Sequence, residues 1–308
     1  MHCLHSRHCR PTAHGGHLTT RQVLRPIGRS IVRPTRVADV EAATEPREKS
    51  EDAASSLSVQ EEDDALFGPV PDALLQKRKA FGDRIRGKLV LAPLTKGGNL
   101  PFRRLCAEFG CEVTMSEMAF AKPLLKGDRV ERARLAKAAN EPLYGFQVAT
   151  KVISEGVAAG ALAQQSGADW LDINVGCPIH EASRRGLGAV MLRKPRSLAK
   201  LVHGVVNGCE LPVSVKVRTG ESEKKVNIER VARLLSRAGA AGLIVHGRTM
   251  EQRYRKPADW AHITALAAQH PDLPIIGNGD VLTHYDAAWR LAESGAAAVM
   301  AGGGALIR

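Results

Sequence analysis

The chain has 308 residues, 44 % of them hydrophobic, with a net charge of +12. No uninterrupted run of about eighteen apolar residues occurs, so nothing in it reads as a helical membrane span. A chain of this length builds its core without a disulfide framework, and its basic excess points to a polyanionic partner, with solvated Lys and Arg faces as the plainer alternative.

The charge is unevenly spread. Residues 1–38 carry seven Arg and no acid, and match an organellar transit peptide in composition. Pro11, Pro26 and Pro34 interrupt any long helix there, so a disordered basic tail fits as well. Residues 39–66 follow as an acidic stretch with little to bury, ten acids against Arg47 and Lys49, and are expected to be a disordered linker. The rest of the chain holds an excess of +13, so the folded domain, expected over 67–308, is itself basic. Six cysteines without C-x-x-C spacing suit a reducing compartment. An intracellular site is therefore expected: the cytoplasm, or a mitochondrion or plastid if the Arg-rich start is a transit peptide. No metal is assigned.

From Leu89 onward, eight short apolar runs alternate with amphipathic segments. The strand candidates are LVLAPL from 89, VTMSEM from 113, YGFQVA from 144, WLDINVGCP from 170, PVSVKVR from 212, GLIVHGR from 242, PIIGNGD from 274 and AAVMAGGGA from 297. Helical patterns such as ISEGVAAGALAQQ and HYDAAWRLAESG separate them, each ending near a glycine suited to a C-cap. Eight strand–helix units with polar residues at so many strand ends predict an α/β TIM (β/α)8 barrel. No outer helix follows the eighth strand before Arg308, so apolar surface is expected on the first and eighth strands.

In such a barrel the strand ends share one site. They supply Pro93, Leu94, Glu117, Gln147, Asn174, Cys177, Lys216, Arg218, His246, Arg248, Asn278 and Asp280: a polar, basic mouth with a thiol. There is no cluster at metal-ligand spacing and no Ser beside a base, which argues against zinc chemistry and serine hydrolysis. A bound organic cofactor with a protein acid fits better. Gly302, Gly303 and Gly304 follow the last strand, where bare backbone N–H groups can receive a phosphate. Trp260 reads as a core residue at a helix start.

The segments LAPLTKGGNLPFRRLC, DINVGCPI, VKVRTG, VHGRTMEQRYRKPADW and GNGD, in this order and at barrel spacing, resemble the tRNA-dihydrouridine synthases over residues 86 to 307. APLTKGGNLPFRR and EQRYRKPADW are most like the type 3 branch, which reduces a variable-loop uridine. The resemblance implies FMN as cofactor, NADPH as reductant and tRNA as substrate, with hydride delivered to uracil C6 and Cys177 protonating C5. It assigns the flavin to Pro93, Leu94, Gln147, Lys216, His246, Asn278, Gly279, Asp280, Gly302 and Gly303, with Lys216 and His246 beside the electron-rich end of the ring. Asn174 and Arg218 would orient the uracil.

Departures from the pattern are visible. Gly303 stands where the family usually has an arginine, Leu187 interrupts a glycine-rich loop, and the family's helical tRNA-gripping domain after the barrel has no counterpart. A C-terminally truncated chain is the expectation. Two other readings stay open: a dihydroorotate dehydrogenase-like FMN barrel, and a catalytically silent RNA-binding barrel.

Overall fold

The computed structural model describes residues 58–307. The first elements in chain order are α1 (Val59–Asp64), α2 (Asp72–Ile85), β1 (Leu89–Leu91), α3 (Leu100–Glu108), β2 (Val113–Met115), β3 (Ala119–Phe120), α4 (Ala121–Leu125) and α5 (Arg129–Ala133). Then come β4 (Leu143–Ala149), α6 (Ile153–Gln165), β5 (Trp170–Val175), α7 (His180–Arg184), a 3-10 turn (Gly188–Arg193), α8 (Pro195–Gly208) and β6 (Val213–Arg218). The last are α9 (Ile228–Arg237), β7 (Gly242–His246), α10 (Ala261–Gln269), β8 (Ile275–Asn278), α11 (His284–Ser294), β9 (Ala298–Ala301) and α12 (Gly304–Ile307).

All pairings between these strands are parallel, and the ring closes because β1 pairs with both β2 and β9 while β2 also pairs with β4. The result is the eight-stranded TIM barrel that the apolar runs predict. One run divides: VTMSEM breaks after Met115, and β2 and β3 pair in turn with successive parts of β4. Strands of a parallel barrel are covered on both faces, which is why β4 and β5 are buried at every position.

Side chains alternate between two cores. Leu171 and Ile173 of β5, Val215 of β6 and Leu243 of β7 face the outer helices, whereas Val90, Met115, Ile244, Ile276 and Met300 fill the barrel. Phe81 and Ile85 of α2 join the interior cluster, with Phe81 edge-on to Trp170 at 5.7 Å, so α2 plugs the N-terminal mouth. Among the outer helices, α11 ends as predicted, with a Thr283–Asp286 capping box at its start and Gly295 at φ 65° after its end.

The expected linker boundary needs correction. Residues 1–57 lie outside the described residues, but α1 begins at Val59 and packs on α9. Asp63 is fully buried, accepting from Arg196 Nε and Arg230 Nε at 2.6 Å each, with Arg233 Nη2 at 3.5 Å. An acidic run reads as solvated until it meets complementary arginines more than a hundred residues away.

Beyond β9 only the single turn α12 is described. Leu89, Leu105, Phe109 and Leu306 are exposed around a cleft of about 700 Å³ beside β1 and β9, the apolar surface anticipated there. Among the described residues no helix is long and apolar enough to cross a membrane, and no three His, Cys, Asp or Glu side chains gather as a metal-binding group.

Candidate active site

The strand alternation that buries Val213, Val215 and Val217 outward turns Ser214, Lys216 and Arg218 inward. The same parity on β4 and β5 turns Gln147, Asp172 and Asn174 inward. Register then aligns them: Gln147 opposite Asp172, Asn174 opposite Lys216, Arg218 opposite His246 and His246 opposite Asn278. Above them, at the C-terminal mouth, lies a cavity of about 410 Å³, within the roughly 300–1,000 Å³ common for ligand sites. Every residue that the resemblance assigns to flavin, uracil or acid lines it.

A hydrogen-bond chain leads from the barrel interior to Cys177. Ser214 Oγ and Gln147 Nε2 donate to the two Asp172 oxygens at 2.5 and 2.8 Å. Asn174 Nδ2 donates to Gln147 Oε1 at 2.8 Å, and Asn174 Oδ1 accepts from the Cys177 amide at 3.0 Å. Asp172, which sequence reasoning passed over, is fully buried, and burial pushes its carboxyl up to about 6 against the pull of Ser214, Gln147 and Lys216. Its signal was the inward parity it shares with Asn174 two positions on. Gln147, expected at the flavin's pyrimidine edge, is already held at both ends of its amide, leaving one N–H and one lone pair for a ligand.

Cys177 is a free, half-buried thiol. Burial pushes its pKa up, only partly opposed by Arg218 and Lys216, so the sulfur stays protonated at neutral pH.

The basic side chains of the mouth differ in charge state and in what they meet. Lys216 Nζ donates to Asn278 Oδ1 at 3.0 Å and has no carboxylate within ion-pair distance among the described residues. Burial, with Arg218 beside it, pulls its pKa down to about 8. His246 is not a second cation: burial beside Lys216, Arg218 and Arg248 drives it down to about 2. The neutral ring places Nε2 3.3 Å from Arg248 Nη1, which can only donate, so Nε2 accepts. Arg218 is committed to main chain, donating from Nε to the Gly176 carbonyl at 2.8 Å and from Nη1 to that of Thr249 at 2.9 Å. Only Nη2 is left to meet a substrate.

Asp280, expected near the ribityl chain, accepts from Arg248 Nη2 with both oxygens at 2.6 and 2.8 Å and from the Ala258 amide at 2.7 Å. Arg248, one of the strand-end residues, and the exposed Tyr254, whose ring lies 6.0 Å from that of His246, complete the wall; of the two, only Tyr254 was not selected from sequence. Trp260 is the core residue expected, its Nε1 donating to the Gly279 carbonyl at 3.0 Å.

Asn278 is fixed by donating to the Met300 carbonyl at 3.0 Å. Gly279 sits at φ 124°, and a Cβ there would fall 2.5 Å from Ala258 Cβ, so the close turn requires glycine. Gly302 and Gly303 close the ring beside Leu94, and a Cβ on Gly303 would meet nothing within 4 Å. Pro93 and Leu94 form the apolar wall next to them.

Together these features define an α/β-barrel protein whose C-terminal mouth holds a basic cavity with a protonated thiol. The description "Dihydrouridine synthase (Dus)" matches residues 90–308, and the chain belongs to the dihydrouridine synthase family, a family of flavin-dependent enzymes. It is 39 % identical over 238 residues to the tRNA-dihydrouridine(47) synthase of Cryptococcus neoformans, covering 72 % of this chain and 33 % of that protein. It is 38 % identical to a tRNA-dihydrouridine(47) synthase-like protein of Homo sapiens, covering 73 % and 34 % respectively. For that of Xenopus tropicalis the figures are 35 % identity, 84 % and 41 %. The chain thus spans between a third and two fifths of the length of these relatives. A solved complex of 2-naphthoyl-CoA reductase with 2-naphthoyl-CoA superposes with a TM-score of 0.53 at 12 % identity, covering 70 % of this chain and 48 % of that one, and supports the fold alone.

Proposed function

We propose that the barrel reduces a uridine of tRNA to 5,6-dihydrouridine, at the position 47 that its relatives are named for, with FMN in the mouth cavity and NADPH as reductant. The residues fit such a cofactor: Lys216 is a half-buried cation without a carboxylate partner, and the cavity ends at a glycine bend with open space around Gly303. When bound, the flavin supplies the hydride that adds to C6 of the uracil ring.

The chain's own groups do the rest. Cys177, held as a thiol, donates its proton to C5, and the Asp172–Gln147–Asn174 chain fixes the backbone that carries it. Lys216 stabilises negative charge beside it. Arg218 anchors the loops after β5 and β7 on either side of the cavity and offers Nη2 to the base.

The observation that carries the reading is the convergence of a protonated thiol and a half-buried lysine without a carboxylate partner in one cavity. Cys177→Ala tests it. Dihydrouridine formation on tRNA should fall by about a hundredfold or more while reduction of the flavin by NADPH continues. Full uridine reduction by this variant would remove Cys177 as the acid.

A further inference from the structure

A second, larger concavity of about 940 Å³ opens beside the first. Its walls are the β3–α4–α5 segment, the turn from β4 into α6 and the loop after α7. All three are reached from strand ends or from the loop that carries Cys177, so the groove lies at the same mouth of the barrel as the cavity. One apolar cluster separates the two. Met118 and Cys177 line the cavity, Phe120, Ala149 and Leu187 line the groove, and all five pack together around Ala182.

The groove is basic. Lys122, Lys126, Arg129, Lys151 and Arg185 line it against Asp128 and Glu155. Both acids are occupied: Asp128 caps α5 by accepting from the Val130 and Glu131 amides, and Glu155 accepts from Thr150 Oγ1 at 3.0 Å. Lys151 donates to the Arg185 carbonyl at 2.9 Å, and Arg185 pairs with Glu181 and lies over the Phe120 ring at 4.5 Å. Lys122, Lys126 and Arg129 are exposed and pair with no carboxylate among the described residues. They come from separate places along the groove wall: Lys122 within α4, Lys126 just after its end, and Arg129 at the start of α5 beyond the turn at Gly127.

We infer that this groove seats the phosphate backbone of the RNA beside the nucleotide that enters the cavity. The inference rests on the tRNA reading given above and names the surface it uses. A polynucleotide presents one charge per residue along its length, which suits separate cations along the groove wall, whereas a dinucleotide concentrates its charge at a pyrophosphate. Since the wall between groove and cavity is a single apolar cluster, a strand in the groove can continue straight to a base above Cys177.

The test compares the 308-residue chain with a Lys122→Glu/Lys126→Glu/Arg129→Glu variant, measuring affinity for a tRNA transcript over a range of salt concentrations and the rate of flavin reduction by NADPH. These side chains hold no partner, so the fold should survive, which circular dichroism checks. A Lys79→Glu variant on α2, at the opposite mouth and paired only with the exposed Asp83 of its own helix, gives the effect of reversing a charge away from the groove. The expected result is RNA affinity weakened at least about tenfold, a salt slope reduced by about three, and a larger loss per reversed charge than at Lys79, with flavin reduction unchanged. RNA affinity no weaker than the Lys79 effect predicts would overturn the inference. So would a raised KM for NADPH with RNA binding intact, which would make the groove a dinucleotide site. If the unsubstituted chain binds no flavin and forms no dihydrouridine, the proposed function fails on its own, and the RNA affinities still decide the groove.

Discussion

Two clusters of basic side chains in this barrel differ in what neutralises them. On the outer surface, Arg196, Arg230, Arg233 and Arg237 meet Glu62, Asp63 and Asp64 of α1, with Asp63 completely buried among them. At the mouth, Arg248 pairs with Asp280, but Lys216 has only an amide oxygen and Arg218 only backbone carbonyls. The first cluster is closed by the chain's own acids and serves stability. The second leaves Lys216 and Arg218 with no carboxylate in contact and only the more distant pull of Asp172 on Lys216, an arrangement that makes sense where a ligand supplies the anion.

Replacing Lys216 should separate the two most sharply. Lys216→Met removes the half-buried charge and keeps the volume, so the unliganded protein should gain about 1–3 kcal/mol in urea unfolding while dihydrouridine formation drops about a hundredfold. A loss of stability would mean that Lys216 is a structural residue like the arginines of the outer cluster.

Asp63→Asn probes the other side. It should cost about 2 kcal/mol at pH 7 and leave turnover per folded molecule unchanged. The hydrogen bonds from Arg230 and Arg196 hold the Asp63 carboxyl down at about 2, from an ordinary 3.8. Its contribution is therefore complete above about pH 4 and lost as pH falls through about 2, so the wild-type and variant unfolding curves should converge on acidification. A constant difference down to that pH would show that shape, not charge, holds α1.

The smallest effect concerns the glycine bend. The Cβ of an arginine at Gly303 meets nothing within 4 Å, and the guanidinium is expected to reach a phosphate in the cavity. Gly303→Arg should tighten FMN binding about tenfold, or 1.4 kcal/mol, in an absorbance titration. Unchanged affinity would move the phosphate away from this bend.

Legibility in the sequence followed the same division. Residues at strand ends were readable because barrel geometry sends them all to one mouth, and every one assigned by the resemblance lines the cavity. Roles that depend on neighbours were not. The neutrality of His246 follows from its burial among three cations, and which N–H group of Arg218 stays free for a substrate is known only once the others are traced to Gly176 and Thr249. Asp172 hides inside a strand, visible only through its alternation with Asn174. The acids of α1 read as linker because their arginines come from α8 and α9, far along the chain.

The measurement that bears most directly on the charge of Lys216 is an FMN titration of the 308-residue chain, followed by visible absorbance from about pH 6.5 to about pH 9.5. Lys216 loses its proton near 8 in the free protein, so affinity should be saturable, one flavin per chain, and should weaken as pH rises past that value. Binding that does not change with pH, or no binding by a folded protein, would contradict the claim that the mouth is charged to receive a phosphorylated flavin.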